Sequence, residues 1–316
     1  MSLRRSTPLI TAVAIIFSVT IALPTVATAE TDDRATTADR PLPEFFEGVR
    51  ATGAGSSHTA ITSGVDSLYQ NPAGIARAPM YIVDTAFSYT PQGVILGAGV
   101  ADSKLNPDLA LGVSWNYFFG VGDHDHLTGH DGRVAIGVPV IPEQVSIGAG
   151  VRYLRITDET LPIANDDDDQ ILIGGLTFDA GINFRVAETI HLGLKGQNII
   201  DRCADEPRCQ GSTPTRITGG IGVGYETNFL LSGEATLDLT SGPDPMFDFA
   251  VGGEYLLGYT VPIRAGFERR AFLDRDLVTV GIGWRSEQMG IDGSYRHDIG
   301  DLSEFGYLSG SFSFYF

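Results

Sequence analysis

Three histidines alternate with aspartates over a short stretch and form the most suggestive chemical cluster in the sequence: His124, His126 and His130, flanked by Asp123, Asp125 and Asp131. Imidazole and carboxylate groups are ligands that zinc and other divalent ions accept. Two interpretations stay open, a metal site and a solvated loop. The nearby run Asp166–Asp169 lacks the glycine and the terminal Glu of a calcium-binding loop, so it is interpreted as a solvated run of charge.

Sequence motifs typical of enzymes are only weakly matched in this chain. The glycine-rich run Gly219–Gly224 superficially suggests a nucleotide-binding loop, but it lies inside an alternating strand pattern with no helix after it. Neither a Ser–His–Asp nor a Cys–His arrangement is suggested locally, and no carboxylates are paired by a motif. We therefore expect neither an enzyme nor a bound cofactor.

The composition narrows the class of protein. The chain has 316 residues, with Lys+Arg 21 against Asp+Glu 39 and a formal net charge of -18. This acidity argues against a nucleic-acid partner, because phosphate contacts need clustered Lys and Arg. A hydrophobic content of 43% argues against intrinsic disorder.

Residues 1–29 have the features of a secretory signal peptide. Arg4 and Arg5 form a basic start, Leu9–Leu23 is apolar, and Ala27–Ala29 fits the cleavage rule. A membrane anchor is the alternative. Residues 30–42 are interpreted as a polar linker. Because export leads to an oxidising compartment, Cys203 and Cys209 are expected to form a disulfide, the alternative being a free reactive pair.

A period of two runs through residues 80–316. In Phe229–Thr240, for example, Phe229, Leu231 and Leu237 fall on one face and Ser232, Glu234 and Asp238 on the other. Successive side chains of a strand point to opposite faces, so each such segment has an apolar and a polar side. Fourteen segments share the pattern, and they begin near Met80, Gln92, Asp108, Asp131, Glu143, Ile171, Glu188, Thr215, Asn228, Met246, Thr260, Leu277, Met289 and Gly306.

This pattern predicts an all-β fold, a transmembrane antiparallel β-barrel of about 14 strands. A secreted β-sandwich is the structural competitor, but its outer faces should be polar. Connections alternate between long ones, such as Gly120–His130, and short ones, such as Gly258–Tyr259, as in bacterial outer-membrane barrels. The first long-side turn, Thr90–Gly93, is a short exception.

The polar strand faces predict charges inside the barrel. Two interpretations stay open, a paired network that braces the interior and a polar conduit. The predicted lumenal charges are Lys195, Arg216, Glu226, Glu234, Asp238, Asp248, Glu254, Arg264, Glu268, Arg285, Asp292 and Arg296.

Residues 43–79 precede the strands and are rich in small residues, Pro and Gly. They suit either a plug inside the lumen or a periplasmic extension on the rim. The run Asp66–Ala76, which contains Asn71-Pro72-Ala73-Gly74, resembles the signature of FadL-type and PorV-type outer-membrane proteins. The terminal strand, which ends at Phe316, resembles the signal read by the barrel-assembly machinery of Gram-negative bacteria.

The resemblance covers roughly Gly53 to Phe316 and implies a 14-stranded barrel with an N-terminal plug, in which Asp66, Asn71, Pro72, Ala73 and Gly74 form the plug motif. It implies an outer-membrane location with lipid as partner. FadL-type channels imply passive transport of a small hydrophobic molecule. PorV-type proteins imply the alternative, a non-transporting scaffold with a secretion partner protein. The predicted external loops are polar and acidic, which departs from the apolar loops of FadL-type channels.

Overall fold

The described residues fold into a closed antiparallel barrel of fourteen strands. The computed structural model describes residues 45–160, 171–200, 213–225, 227–241, 244–271, 273–301 and 306–316. Strands adjacent in sequence pair with one another, and β1 pairs with β14 to close the ring. The strands are β1 (Tyr81–Tyr89), β2 (Gly93–Asp102), β3 (Ala110–Gly120), β4 (Leu127–Ile141), β5 (Val145–Asp158), β6 (Ile171–Ala187), β7 (Ile190–Gln197), β8 (Arg216–Tyr225), β9 (Phe229–Asp238), β10 (Met246–Leu257), β11 (Val261–Arg270), β12 (Arg275–Arg285), β13 (Met289–Asp298) and β14 (Tyr307–Tyr315).

The outer wall is apolar and the inner wall is mostly polar. On β3, Val113 and Trp115 point outward and are 51% and 50% exposed, whereas Ser114 and Asn116 point inward and are buried. The same alternation continues around the ring. An outward-facing apolar band is what lipid requires of a transmembrane barrel. The predicted barrel is confirmed, and the sandwich alternative fails because the sheet closes on itself.

The predicted strand starts agree with the structure to within a few residues. The largest difference is at β4, which begins at Leu127 rather than near Asp131. Leu127 pairs with Asp158, and His130 pairs with Tyr117, so the strand continues through the histidine-rich stretch. The predicted connection Gly120–His130 was therefore too long. Its polar residues indicated a loop, but the last of them already belong to β4.

The connections define two ends of the barrel. Those after even-numbered strands are mostly tight, for example Gly258–Thr260, where Gly258 and Tyr259 have φ of 59° and 64°. We call this the short-turn end and the opposite one the long-loop end. Within the described residues, no helix has the length and apolarity needed to cross a membrane.

Residues 45–79, here called the N-terminal segment, contain only short helical turns. They are α1 (Val49–Gly53) and two 3₁₀ helices, Gly64–Leu68 and Pro72–Ala76. Most residues of the segment are buried. Such short turns cannot be stable alone, so their conformation depends on contacts with the barrel.

Candidate functional site

The N-terminal segment packs against the inward face of the barrel at widely separated strands. On β12, Thr279 Oγ1 accepts a hydrogen bond of 2.9 Å from Gly55 N. On β9, Ser232 Oγ lies 2.7 Å from Ser57 Oγ, and on β5, Ser146 Oγ donates to Ala73 O at 2.9 Å. These contacts join the described segment to inward-facing side chains of three strands.

A ring of inward-facing glycines makes room for this segment. At Gly148, an added Cβ would lie 2.3 Å from Ala73 N, and at Gly266 it would lie 2.3 Å from Gly55 N. Glycine within a strand often marks such a close approach of another backbone. The glycines that contact the segment are Gly99, Gly112, Gly137, Gly148, Gly181, Gly193, Gly220, Gly222, Gly252, Gly266 and Gly281.

Asn71 joins three parts of the structure. Its Oδ1 accepts a hydrogen bond from Ala73 N at 3.1 Å, which caps the 3₁₀ turn that begins at Pro72. Its Nδ2 donates to Thr59 O at 2.9 Å, and the side-chain amide of Asn183 on β6 lies 2.8 Å away. Because Asn71 is fully buried, loss of its side chain would leave several polar groups without partners.

Asp66, the first residue of the same motif, lies against Gly48. A Cβ at Gly48 would come within 2.5 Å of Asp66 Oδ1, and the φ of Gly48 is 93°. Burial raises the pKa of Asp66 to about 6, with Arg50 opposing this shift and Asp292 adding to it. Asp66 therefore titrates close to neutral pH, unlike an ordinary carboxyl group.

Four of the predicted lumenal charges form a connected network on β10 to β13. Arg264 donates to Glu254 at 2.5 Å and to Asp292 at 2.6 Å. Arg285 lies 3.5 Å from the same Glu254. Arg50 of the N-terminal segment also donates to Glu254, at 3.1 Å, so the network ties the segment to the wall.

A second group of charges holds the start of the segment. Glu47 accepts hydrogen bonds of 2.9 Å from both Arg270 and Arg296. Burial alone would raise the pKa of Glu47, but these two guanidinium groups lower it well below its usual range. Glu268 also contacts both arginines. Arg216 and Asp238 form a separate pair at 2.9 Å.

A third charged group, on β4 and β5, was missed by sequence reasoning. Arg133 and Arg152 each donate two hydrogen bonds to Asp131, at 2.9–3.1 Å. Their guanidinium groups also stack over aromatic rings, Arg133 over Tyr69 at 4.9 Å and Arg152 over Phe45 at 4.5 Å. In the sequence Asp131 was grouped with the histidines of the possible metal site, although its alternation with Val134 places it on the inward face.

The opposite side of the lumen is apolar. Phe46, Val65, Leu68 and Ile75 of the segment form one buried cluster with side chains of β1 to β6. The wall residues of this cluster include Ile82, Ile95, Phe118, Leu154, Ile156 and Ile173. The lumen thus has an apolar side along β1 to β6, which the Asp131 group on β4 and β5 interrupts, and a charged side along β8 to β13.

Two cavities lie at opposite ends of the N-terminal segment. The cavity at the long-loop end has a volume of about 250 Å³ and is lined by Phe45, Phe46 and Tyr69 of the segment. The cavity at the short-turn end has a volume of about 310 Å³ and is lined by Arg77 of the segment and His191 of β7. The packed segment separates the two cavities.

The remaining candidate residues differ in outcome. His130 packs at a tilt against Trp115 and Tyr117 on the outer wall, with ring centroids 5.5 and 5.0 Å apart, whereas His124 and His126 precede the strand. No group of three or more His, Cys, Asp or Glu among the described residues is arranged to hold a metal ion.

Several predicted residues have a simpler outcome. Lys195, Glu234 and Asp248 line the cavity at the long-loop end. The run Gly219–Gly224 lies within β8. Glu226, Cys203, Cys209 and Asp166–Asp169 fall outside the described residues, as do residues 1–44.

The comparisons with known proteins bear on the fold. No protein-family model matches the sequence, and no curated protein matches it. The structure is similar to the Pseudomonas putida toluene transporter TodX, with a TM-score of 0.59 at 9% identity over 85% of this chain and 99% of that one. It is also similar to the CymD monoaromatic hydrocarbon channel, with 0.57 at 11% identity over 85% and 98%.

A FadL homologue from Pseudomonas aeruginosa is similar to the same degree. Its TM-score is 0.56 at 12% identity, over 85% of this chain and 97% of that one. At such identities the similarity concerns the fold, which the residue-level resemblance of the Asn71-Pro72-Ala73-Gly74 run had already suggested. The chain therefore has the fold of the FadL-type channels.

Proposed function

We propose that the protein lets a small hydrophobic compound diffuse passively across the outer membrane of a Gram-negative bacterium. The observation that carries this proposal is the apolar side of the lumen, where Phe46 and Leu68 pack against Ile95, Phe118 and Leu154. An apolar surface inside a barrel offers an apolar solute a route that avoids the charged side. The fold of hydrocarbon channels such as TodX and CymD supports the proposal.

In this proposal the N-terminal segment acts as a plug. It is held at Asn71 and by ion pairs at Glu47 and Arg50. A shift of the motif Asp66, Asn71, Pro72, Ala73 and Gly74 would connect the two cavities along the apolar side. The surrounding partner is outer-membrane lipid, and the barrel-assembly machinery would act on the terminal strand during insertion.

The test is uptake of labelled toluene and of a labelled long-chain fatty acid by cells with and without the gene. We expect uptake of at least one probe to fall when the gene is absent. Asn71→Ala removes an anchor worth about 1–3 kcal/mol for each buried group left unpaired, so the plug loosens and uptake rises severalfold. Asn106→Ala, at an exposed loop position, is the matched control and should leave uptake unchanged.

A second candidate function is a non-transporting scaffold with a secretion partner protein, as in PorV-type proteins. The observation that favours it is the number of ion pairs that fix the segment, including those of Arg50 with Glu254 and Arg296 with Glu47. Uptake that is unaffected by loss of the gene and by Asn71→Ala would support the scaffold and contradict the channel.

A further inference from the structure

Two carboxyl groups meet where the N-terminal segment lies against β1 and β2. The turn Gly64–Leu68 approaches the wall closely here. At Gly99, the strand partner of Asp84, an added Cβ would lie 2.6 Å from Val65 of the turn. Asp66 is the next residue of the turn, so it lies near Asp84, and the two carboxylates act on each other electrostatically.

Neither carboxyl group has a cation of its own. Asp84 accepts a hydrogen bond of 2.5 Å from Ser313 Oγ and makes no ion pair with a described residue. The side chain of Asp66 makes neither a hydrogen bond nor an ion pair with the described part of the chain. Both residues are half-buried, so their carboxylates lose part of their hydration while a proton can still enter and leave.

The nearby cations are held by two other carboxylates. Three guanidinium groups contact Glu254, at N–O distances of 3.1, 2.5 and 3.5 Å, and they belong to Arg50, Arg264 and Arg285. Arg264 also contacts Asp292, at 2.6 Å. Among the described residues of this interface, three cations thus face four carboxyl groups. The cluster is neutral only when one carboxyl group carries a proton.

The titratable and charged groups that face the pair come from all the elements packed around it. Besides Glu254 of β10, they are Arg50 and His58 of the segment, Arg264 of β11, Arg285 of β12, Asp292 of β13 and Tyr315 of β14. Burial, reinforced by nearby guanidinium groups, holds the pKa of His58 well below its usual range, so this imidazole adds no charge. Burial raises the pKa of Asp66 to about 6, which agrees with a proton retained in the cluster.

We propose that Asp66 and Asp84 form a pH-sensitive latch between the N-terminal segment and the wall. One proton shared by the two carboxyl groups keeps the turn Gly64–Leu68 against β1 and β2. Loss of that proton leaves two adjacent like charges, which loosen the turn. The latch is firm at acidic pH and weakens as the pH rises through neutrality. It concerns the hold on the segment and is independent of which compound, if any, crosses the barrel.

The experiment is hydrogen exchange, followed by mass spectrometry, on the purified full-length protein in detergent. Exchange rates of peptides that cover residues 60–70, corrected for the intrinsic effect of pH, report how often the turn opens. We expect the corrected rate to rise at least tenfold from about pH 5 to about pH 8, because the shared proton is lost in this range. A corrected rate that stays constant in the wild type would overturn the proposal.

Variants show whether the two residues act as a pair. Asp66→Asn and Asp84→Asn should each reduce the rise to less than about threefold, and combining them should reduce it little further, because either amide removes the shared proton. Asp108→Asn, on the exposed connection between β2 and β3, is the matched control and should keep the tenfold rise. A full rise in Asp84→Asn would show that Asp66 titrates alone and would overturn the pairing.

If Asp84→Asn does not fold, Asp84→Ser takes its place as a smaller uncharged side chain beside Ser313, with the same expected outcome. The result is separable from that of the proposed function. A turn that does not respond to pH would leave the expected uptake unchanged, and uptake that is independent of the gene would leave the latch in place.

Discussion

Asp66 carries a carboxylate whose protonation changes near neutral pH, because burial raises its pKa to about 6 from the usual 3.8. The folded protein then holds this proton more tightly than the unfolded chain does. Asp66 therefore costs no stability below about pH 4, costs more as the pH rises between the two pKa values, and costs most above about pH 6. We expect the N-terminal segment to be held more firmly at acidic pH.

The check is the apparent melting temperature in detergent at about pH 5 and about pH 7.5. Asp66→Asn should shrink the difference between the two values, since the amide does not titrate. Asp125→Asn, whose carboxylate is largely exposed, should keep the wild-type difference. A pH dependence identical in Asp66→Asn and the wild type would contradict the assignment.

Single residues were predictable where they sat on a clear strand pattern. Glu254, Arg264 and Asp292 were predicted to face inward, and they meet in one network. Their partner Arg50 was not predicted, because the turns of the N-terminal segment have no period that fixes the direction of a side chain. Alternation shows which wall face a charge occupies, but the partner depends on the register between strands and segment.

At the scale of elements, the fit between strands and segment depends on backbone contact at glycine. Gly148→Ala would place a Cβ 2.3 Å from the backbone of both Pro72 and Ala73, neither of which can move alone. Overpacking of this kind costs about 1–3 kcal/mol, so we expect the segment to be displaced. Trypsin should then cleave after Arg50 and Arg77 at least severalfold faster than in the wild type.

The matched control for this prediction is Gly219→Ala on the outer face of β8, where an added Cβ meets nothing within 4 Å. It should leave the cleavage rate unchanged. Equal rates for Gly148→Ala and the wild type would mean that the barrel accommodates the added methyl group without displacing the 3₁₀ turn, and would contradict the close contact at Gly148.

The strands themselves were predictable because lipid outside and a polar interior impose a period of two. The conformation of residues 45–79 was not. Pro and Gly indicated turns there, but the surface that those turns contact is a ring of glycines on many strands, such as Gly148 and Gly266. In the sequence those glycines look like any other strand glycine, so their common function emerges only from the pairing register.

For the whole molecule, the division of the lumen explains how an acidic, glycine-rich barrel can enclose both charges and an apolar cluster. Charges lie in mutually paired groups along β8 to β13 and in the Asp131 group on β4 and β5, and the apolar cluster lines β1 to β6. Each side is built from strands that follow one another along the chain, because strands adjacent in sequence also pair. Closure of the sheet sets β1 beside β14, so the two sides also meet there.

The N-terminal segment should make this barrel impermeable to ions. It fills the space between two separate cavities and binds both the charged side, through Glu47 and Arg50, and the apolar side, through Phe46. Deletion of residues 45–79 removes this material but no strand-to-strand hydrogen bond, because the wall is paired all the way round. We expect the wild type to be silent in a planar bilayer and the deletion variant to conduct.

Heat-modifiable migration on gels tests whether the deletion variant still forms a barrel. Gly219→Ala is the full-length control and should stay silent. A wild type that conducts steadily would place an open water path beside the segment. A folded deletion variant that stays silent would mean that the wall side chains close the lumen by themselves. In either case the segment could not be the barrier, and the paired charges of β10 to β13 would become the element that decides permeability.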